Sequence, residues 1–224
     1  MTKRYLPFLI VAAVLLMTVG AGAWLYRYRL AQIPVAPRNL AAGKPGATPP
    51  HVRGSARAPV SLEEFGDYEC LPCSVVFATL KKVEKDYGDR LSLTFRQYPL
   101  QMHKHALEAA RAAEAAGIQG RFWEMHDALF ESRFVWTKEA DVRALFNGYA
   151  SAAGVDLERF KRDLGSPAVA KRIADDQERA ASIGVDRTPV VFVNGRSIPH
   201  PSVTVEGLHA EIDKELNAKP GRGD

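Results

Sequence analysis

The chain has 224 residues with 30 Lys and Arg, 26 Asp and Glu and two cysteines. Setting aside an apolar N-terminal segment and a loose stretch behind it leaves about 160 residues, enough for one domain with a substantial core. The formal charge of +4 is unevenly placed: residues 1–56 hold seven bases (Lys3, Arg4, Arg27, Arg29, Arg38, Lys44, Arg53) and no acid, leaving 23 bases against 26 acids for residues 57–224. Bases interspersed with acids along helical faces are solvated surface rather than a phosphate-binding stripe, which excludes nucleic-acid binding as the main function.

Residues 5–26 carry no charge and are mostly Leu, Val, Ala and Ile, long enough to cross a bilayer as a helix. Trp24, Tyr26 and Tyr28 would then sit at one interface. The competing reading is a cleaved secretory signal, with Lys3 and Arg4 as its basic start and Ala21-Gly22-Ala23 as its cleavage site; against it, the apolar run continues through Trp24 and Leu25. Either way the domain is exported, and without a nearby cysteine a lipoprotein anchor is excluded. Residues 29–56 follow as an Ala/Pro/Gly-rich linker without apolar periodicity, read as a tether; an ordered extension packed on the domain is the alternative.

The folded part is expected over residues 57–217, with a flexible tail at 218–224. Residues 60–65 read as a short strand, followed by a turn at Gly66 and Asp67 and then Cys70-Leu71-Pro72-Cys73. From Cys73 the period becomes helical, with Val76, Phe77, Leu80, Val83 and Tyr87 on one face and a stop at Gly88. A second strand covers 91–98, with Leu91, Leu93 and Phe95 alternating, and completes a βαβ unit. A helical block occupies about 101–184: one helix at 106–116, one carrying Phe122, Met125, His126, Leu129 and Phe130, one with Val142, Leu145, Phe146 and Tyr149, a short one after Asp156, and one from Ser166-Pro167 to near Gly184. The chain returns to strand at Val190 to Val193, turns at Asn194-Gly195 and pairs back through Ser197 and Ile198. A closing helix uses Val205, Leu208, Ile212 and Leu216.

The chemistry-bearing feature is the cysteine pair at the strand-to-helix junction. Cys70 is placed just outside the first helical turn, where unpaired N–H groups and the helix dipole favour a thiolate. That makes it the nucleophile and the better leaving group in thiol–disulfide exchange. Cys73, one turn in, is more buried and resolves the mixed disulfide. Zinc would need more ligands, recruiting His103 and His105. A purely structural bridge is disfavoured because a two-residue loop constrains the unfolded chain little. Thr188-Pro189 lies immediately before an apolar strand, where by base rate the bond is trans.

Three stretches together carry a family resemblance: Glu63-Glu64-Phe65-Gly66-Asp67-Tyr68-Glu69-Cys70-Leu71-Pro72-Cys73, Phe122-Trp123-Glu124-Met125-His126-Asp127-Ala128-Leu129-Phe130, and Gly184-Val185-Asp186-Arg187-Thr188-Pro189-Val190-Val191-Phe192-Val193-Asn194-Gly195. Over nearly all of residues 57–217 the chain resembles the DsbA-like branch of the thioredoxin superfamily. The resemblance implies an α/β, thioredoxin-like fold with an inserted helical subdomain, here preceded by an N-terminal transmembrane or signal helix. It implies a cis Pro189 against the cysteine pair, Thr188 offering backbone groups to an extended substrate, and Glu64 as the acid that handles the proton of the second thiol; a solvent-facing Glu64 is the alternative. Pro72 stands where the strongest oxidases of the family carry histidine, which removes one reason for a strongly oxidising bridge.

The expected activity is therefore thiol–disulfide exchange with exported proteins, oxidation somewhat favoured over reduction, at the periplasmic face of the cytoplasmic membrane. It needs no cofactor or metal, and a membrane redox partner recycles the dithiol. A peptide-holding module without turnover and a metal-binding exported protein are the rival classes. Phe122, Trp123, Phe130 and His126 are read as core of the helical block, and Trp136 as inter-helix packing, with an apolar patch shared with Phe134 and Val135 as its alternative.

Overall fold

The computed structural model describes residues 17–22 and 43–218. Residues 17–22 are helical and fall in a unit, residues 1–36, separate from the folded unit that follows. Among the described residues no helix is long and apolar enough to cross a membrane; most of the apolar segment 5–26, the first part of the expected linker and nearly all of the expected tail lie outside them.

The folded unit has five strands in the order β1-β3-β2-β4-β5: β1 (Val52–Gly54), β2 (Val60–Gly66), β3 (Leu91–Gln97), β4 (Val190–Val193) and β5 (Arg196–Ile198). β2 and β3 are parallel, joined by helix α1 (Leu71–Tyr87), whereas β1–β3, β2–β4 and β4–β5 are antiparallel. The β4–β5 hairpin turns on Asn194 (φ 44) and Gly195 (φ 79), the two positive φ values that a tight two-residue turn demands.

Between β3 and β4 lie six helices: α2 (Ala106–Ile118), α3 (Phe122–Glu131), α4 (Arg133–Trp136), α5 (Arg143–Ala152), α6 (Leu157–Asp163) and α7 (Pro167–Ser182). A final helix, α8 (Val205–Asn217), follows β5. Three of the helix starts are chemically marked. Asp156, Ser166 and Thr204 each accept a backbone N–H of the first turn, from Arg159, Val169 and Gly207, and Pro167 follows its cap.

Alternation along β2 distributes the core. Val60 and Leu62 pack with Val76, Leu80 and Val83 of α1 and with Leu208 and Ile212 of α8. Phe65, on the opposite face, packs with Ala180, Ile183 and Phe192. A third cluster is built on the alanine-rich α2 and includes Met125, Leu129, Trp136, Phe146 and Phe160; it also contains Tyr68, Cys70, Cys73, Phe77 and Phe95. The cysteine turn thus lies where the sheet meets the helical block. Trp136 is fully buried and its Nε1 donates to the Leu129 carbonyl at 2.7 Å, a packing role, while Phe134 and Val135 are exposed.

The linker expected over 29–56 requires correction from residue 43 onward. β1 pairs with β3 in the register Val52↔Thr94, Arg53↔Leu93 and Gly54↔Ser92. Ahead of it, residues 44–49 are held by side chains of β3 and α7: Arg96 donates to the carbonyls of Pro45 and Ala47, Arg179 to that of Lys44, and Arg172 to that of Pro49, while Asp176 accepts the Ala47 N–H. The folded unit therefore begins before residue 57, as the packed-extension alternative had it. The segment lacks apolar periodicity because backbone carbonyls and distant arginines, not an apolar face, hold it.

Candidate active site

β2 delivers the chain to the site through Gly66, where an added Cβ would lie 2.5 Å from the Phe95 ring; only glycine fits between strand and aromatic core. The turn 67–70 follows, in which the Cys70 N–H donates to the Asp67 carbonyl at 3.1 Å. Cys70 is the N-cap of α1 with extended backbone, and Pro72 sits in the first helical turn, where its missing N–H removes no helical bond. Cys70 is 6% exposed, Cys73 0%, and both are free thiols.

Because β4 pairs with β2 through Phe65↔Val190, the loop preceding β4 is brought beside this turn. The Thr188–Pro189 bond is cis, as the resemblance implies and against the base rate. The Cys70 Sγ lies 3.9 Å from the Thr188 carbonyl oxygen. The hydroxyl of Thr188 is buried without a hydrogen-bond partner.

The two thiols are electrically unlike. A hydrogen bond from Cys73 lowers the Cys70 pKa to about 6 against the opposing effect of burial, aided by Thr188 and opposed by the Asp67 charge. Burial pushes Cys73 well above the ordinary thiol value, helped by its bond to Cys70 and by the charge of Glu64. Proximity to the N-terminus of α1 acts in the same sense on the outer thiol.

Glu64 continues the Val60, Leu62 row of β2, flanked by Phe95 on β3 and Val191 on β4. It is 1% exposed, so the solvent-facing alternative does not hold. Burial, then the nearby Cys70 and Glu84 charges, raise its pKa to about 8, and its Oε1 has no hydrogen-bond partner. A neutral carboxyl coupled to both sulfurs can give or take a proton at neutral pH.

Several neighbours were not legible as site residues. Asp67 read only as a turn former; its buried Oδ1 accepts the Glu69 N–H at 2.8 Å, and Oδ2 accepts the Leu100 N–H at 2.9 Å and lies 2.8 Å from His103 Nδ1. Glu69 accepts the His105 N–H on Oε2 at 2.6 Å, and its carbonyl accepts the Arg133 guanidinium. Short-range Asx chemistry marks Asp67 as a turn residue, but its partners 33 and 36 residues on leave no local signal. Nδ1 and Nε2 of His105 lie at hydrogen-bond distance from Glu108 and from the Glu139 carbonyl. Among the described residues no three His, Cys, Asp or Glu side chains are grouped to hold a metal ion.

A family model described as thioredoxin matches residues 47–214. Among curated proteins, the chain is 43% identical over 150 residues to the Na(+)/H(+) antiporter NhaA 1 of Mycolicibacterium gilvum, covering 65% of this chain and 23% of that protein. The chain thus spans about a quarter of the length of the curated relatives it matches. Among solved structures, BdbD from Bacillus subtilis in its oxidised form is 27% identical with a TM-score of 0.67, covering 78% of this chain and 97% of that one. A thioredoxin-like oxidoreductase from Silicibacter pomeroyi is also 27% identical, with a TM-score of 0.63 over 75% of this chain and 93% of that one. At 20% identity, alpha-DsbA1 from Wolbachia pipientis shares the fold, with a TM-score of 0.62 over 75% and 90% of the two chains. This chain belongs to the thioredoxin family.

Proposed function

We propose that the chain exchanges disulfides with exported proteins through Cys70 and Cys73, with oxidation of the substrate the favoured direction. The observation that carries this reading is the asymmetry of the pair: an outer thiol lowered to about 6 at a helix N-terminus, and a fully buried inner one raised well above the ordinary value.

In the oxidising direction a substrate thiolate attacks the Cys70 sulfur of the Cys70–Cys73 bridge, forming a mixed disulfide while Cys73 leaves and takes the proton held by Glu64. A second substrate thiolate then attacks the first substrate sulfur in the mixed disulfide, forming the substrate's disulfide and releasing Cys70 as a thiolate. The substrate loses two electrons and the cysteine pair gains them. Reduction runs the same steps backwards, with Cys70 attacking and Cys73, deprotonated by Glu64, resolving. Thr188 and the cis Pro189 offer backbone groups to an extended substrate segment. Leu71, Val75, Phe134 and Val205, which line one groove on the surface, present it with apolar contact.

A thiolate stabilised at about 6 favours the dithiol, hence oxidation of partners. That value falls between those of thioredoxin (about 7) and DsbA (about 3.5), in keeping with Pro72 in place of histidine, and the expected reduction potential lies between their values of about −270 and −120 mV. The apolar segment 5–26, retained as an anchor, would hold the domain at the extracytoplasmic face of the membrane. A membrane redox partner would reoxidise the dithiol.

Titration of the full-length chain against glutathione, read by thiol alkylation, tests the direction. A potential in the upper half of that window makes the chain an oxidant, one near thioredoxin's a reductase. Cys70→Ser is expected to abolish exchange. Full retention of substrate handling by that variant would overturn the reading in favour of a holding module.

A further inference from the structure

The turn that presents Cys70 is held by one buried carboxylate. Asp67 stands three residues before the nucleophile, its side chain is 0% exposed, and Oδ1 closes the turn on the Glu69 N–H. Its Oδ2 reaches out to the segment after β3, meeting the Leu100 N–H and His103 Nδ1. The backbone of Asp67 bears on both cysteines: its carbonyl accepts the Cys70 N–H, and its main chain favours the Cys73 thiolate against the larger effect of burial. His103, by contrast, is partly open to solvent, with 24% of its side chain exposed.

We propose that Asp67 and His103 form a positioning pair that fixes the Cys70 turn against residues 100–103 and sets how readily Cys70 carries negative charge. This inference rests on the oxidoreductase reading above and deepens it. The groups that bear on Cys70 are Cys73 of α1, Glu64 of β2, Thr188 from the loop before β4, and Asp67 of its own turn. Arg133 of α4 reaches only the adjoining Glu69 carbonyl, and His103 acts through Asp67. The Asp67 charge opposes the Cys70 thiolate. A donor on its Oδ2 draws that charge away from the sulfur, so His103 works in the opposite sense. A purely structural clamp would alter stability and leave the titration of Cys70 where it is.

The test uses the reduced full-length protein with Asp67→Asn, His103→Ala and the donor-restoring His103→Gln. It follows iodoacetamide alkylation of Cys70 from about pH 4 to about pH 9 and the dithiol–disulfide equilibrium against glutathione. At about pH 5, Asp67→Asn is expected to react about threefold to tenfold faster than the parent, with the equilibrium displaced towards the dithiol by a similar factor. His103→Ala is expected to react about twofold to threefold more slowly, and His103→Gln to return towards the parent rate. Profiles of Asp67→Asn and His103→Ala that superimpose on the parent, or an Asp67→Asn profile displaced to higher pH, would overturn the proposal. Should Asp67→Asn fail to fold, the two His103 variants decide it alone, since that side chain is partly exposed. Failure of the parent to exchange with a reduced substrate protein sinks the oxidoreductase reading instead, and the alkylation profiles still decide the pair.

Discussion

Glu64 is an acid in a row of strand positions that otherwise hold Val60 and Leu62, and its burial carries a pH signature. Its folded-state pKa, about 8, lies above the ordinary 4.5. Below about 4.5 both folded and unfolded chains hold the proton and burial is without penalty. Between the two values the unfolded chain ionises first, so stability falls as pH rises, and above about 8 the loss levels off at up to about 5 kcal/mol. Glu64→Gln is therefore expected to melt close to the parent at about pH 4 and on the order of 10 °C higher at about pH 8, both in the reduced state. A difference independent of pH would show that Glu64 is ionised in the folded chain. The residue also marks how far the sequence can be read. Cys70 and Cys73 are visible from spacing and a change of period, whereas Glu64 is singled out only through the family resemblance. The neutral state of that acid comes from the β3 and β4 neighbours and from Cys70, which only the fold assembles.

At the scale of elements, α3 brings His126 into an apolar enclosure of Tyr68, Phe77, Phe95, Phe122, Trp123 and Phe130. Its Nδ1 meets the Tyr68 hydroxyl at 3.1 Å, two residues before Cys70. Burial, then the Arg53 and Lys81 charges, hold His126 well below the ordinary 6.5. As pH falls below about 6.5 the unfolded chain binds a proton that the folded chain refuses, so this group removes stability towards acid, the reverse of Glu64. His126→Gln, which can keep a partner for Tyr68, is expected to lower stability by about 1–3 kcal/mol at neutral pH and to flatten the loss between about pH 6.5 and pH 5. Urea melts of parent and variant across that range measure it; parallel pH curves would locate the acid lability elsewhere. The helix itself was legible from Phe122, Met125, His126, Leu129 and Phe130 at helical spacing, and so were the caps at Asp156 and Ser166, because both signals are local. The stacking of α3 against the Cys70 turn is not local, and periodicity says nothing of which helix faces which strand.

At the scale of the molecule, the described sheet is extended at its β3 side by the segment that sequence composition presents as a tether. What seats it is a charged cluster on the sheet face opposite Glu64. Arg96 Nε donates to Glu63 at 2.6 Å, Arg179 meets both oxygens of Glu63 at 2.8 Å, and Asp176 accepts from Arg96 Nη1, from the Ala47 N–H and from the Gln97 N–H. The two arginines also donate to the carbonyls of Lys44, Pro45 and Ala47. Two acids and two bases leave the cluster formally neutral, and removing one member leaves a buried charge short of partners. Burial works against the Glu63 anion, but Arg179 and then Arg96 overcome it and lower its pKa. Arg179→Met keeps an aliphatic side chain at this position of α7 while removing both bonds to Glu63 and the one to Lys44, so it is expected to destabilise the fold by about 3 kcal/mol. Because the N-terminal segment is held by side-chain charge rather than apolar area, the loss should be felt first there. Hydrogen exchange is expected to show the Ala47 and β1 amides losing at least about tenfold in protection, while the β2, β3 and β4 amides change only with global stability. Uniform loss across all five strands would mean that residues 44–54 fold as one cooperative unit with the sheet, and that the arginines hold the entire molecule rather than this segment.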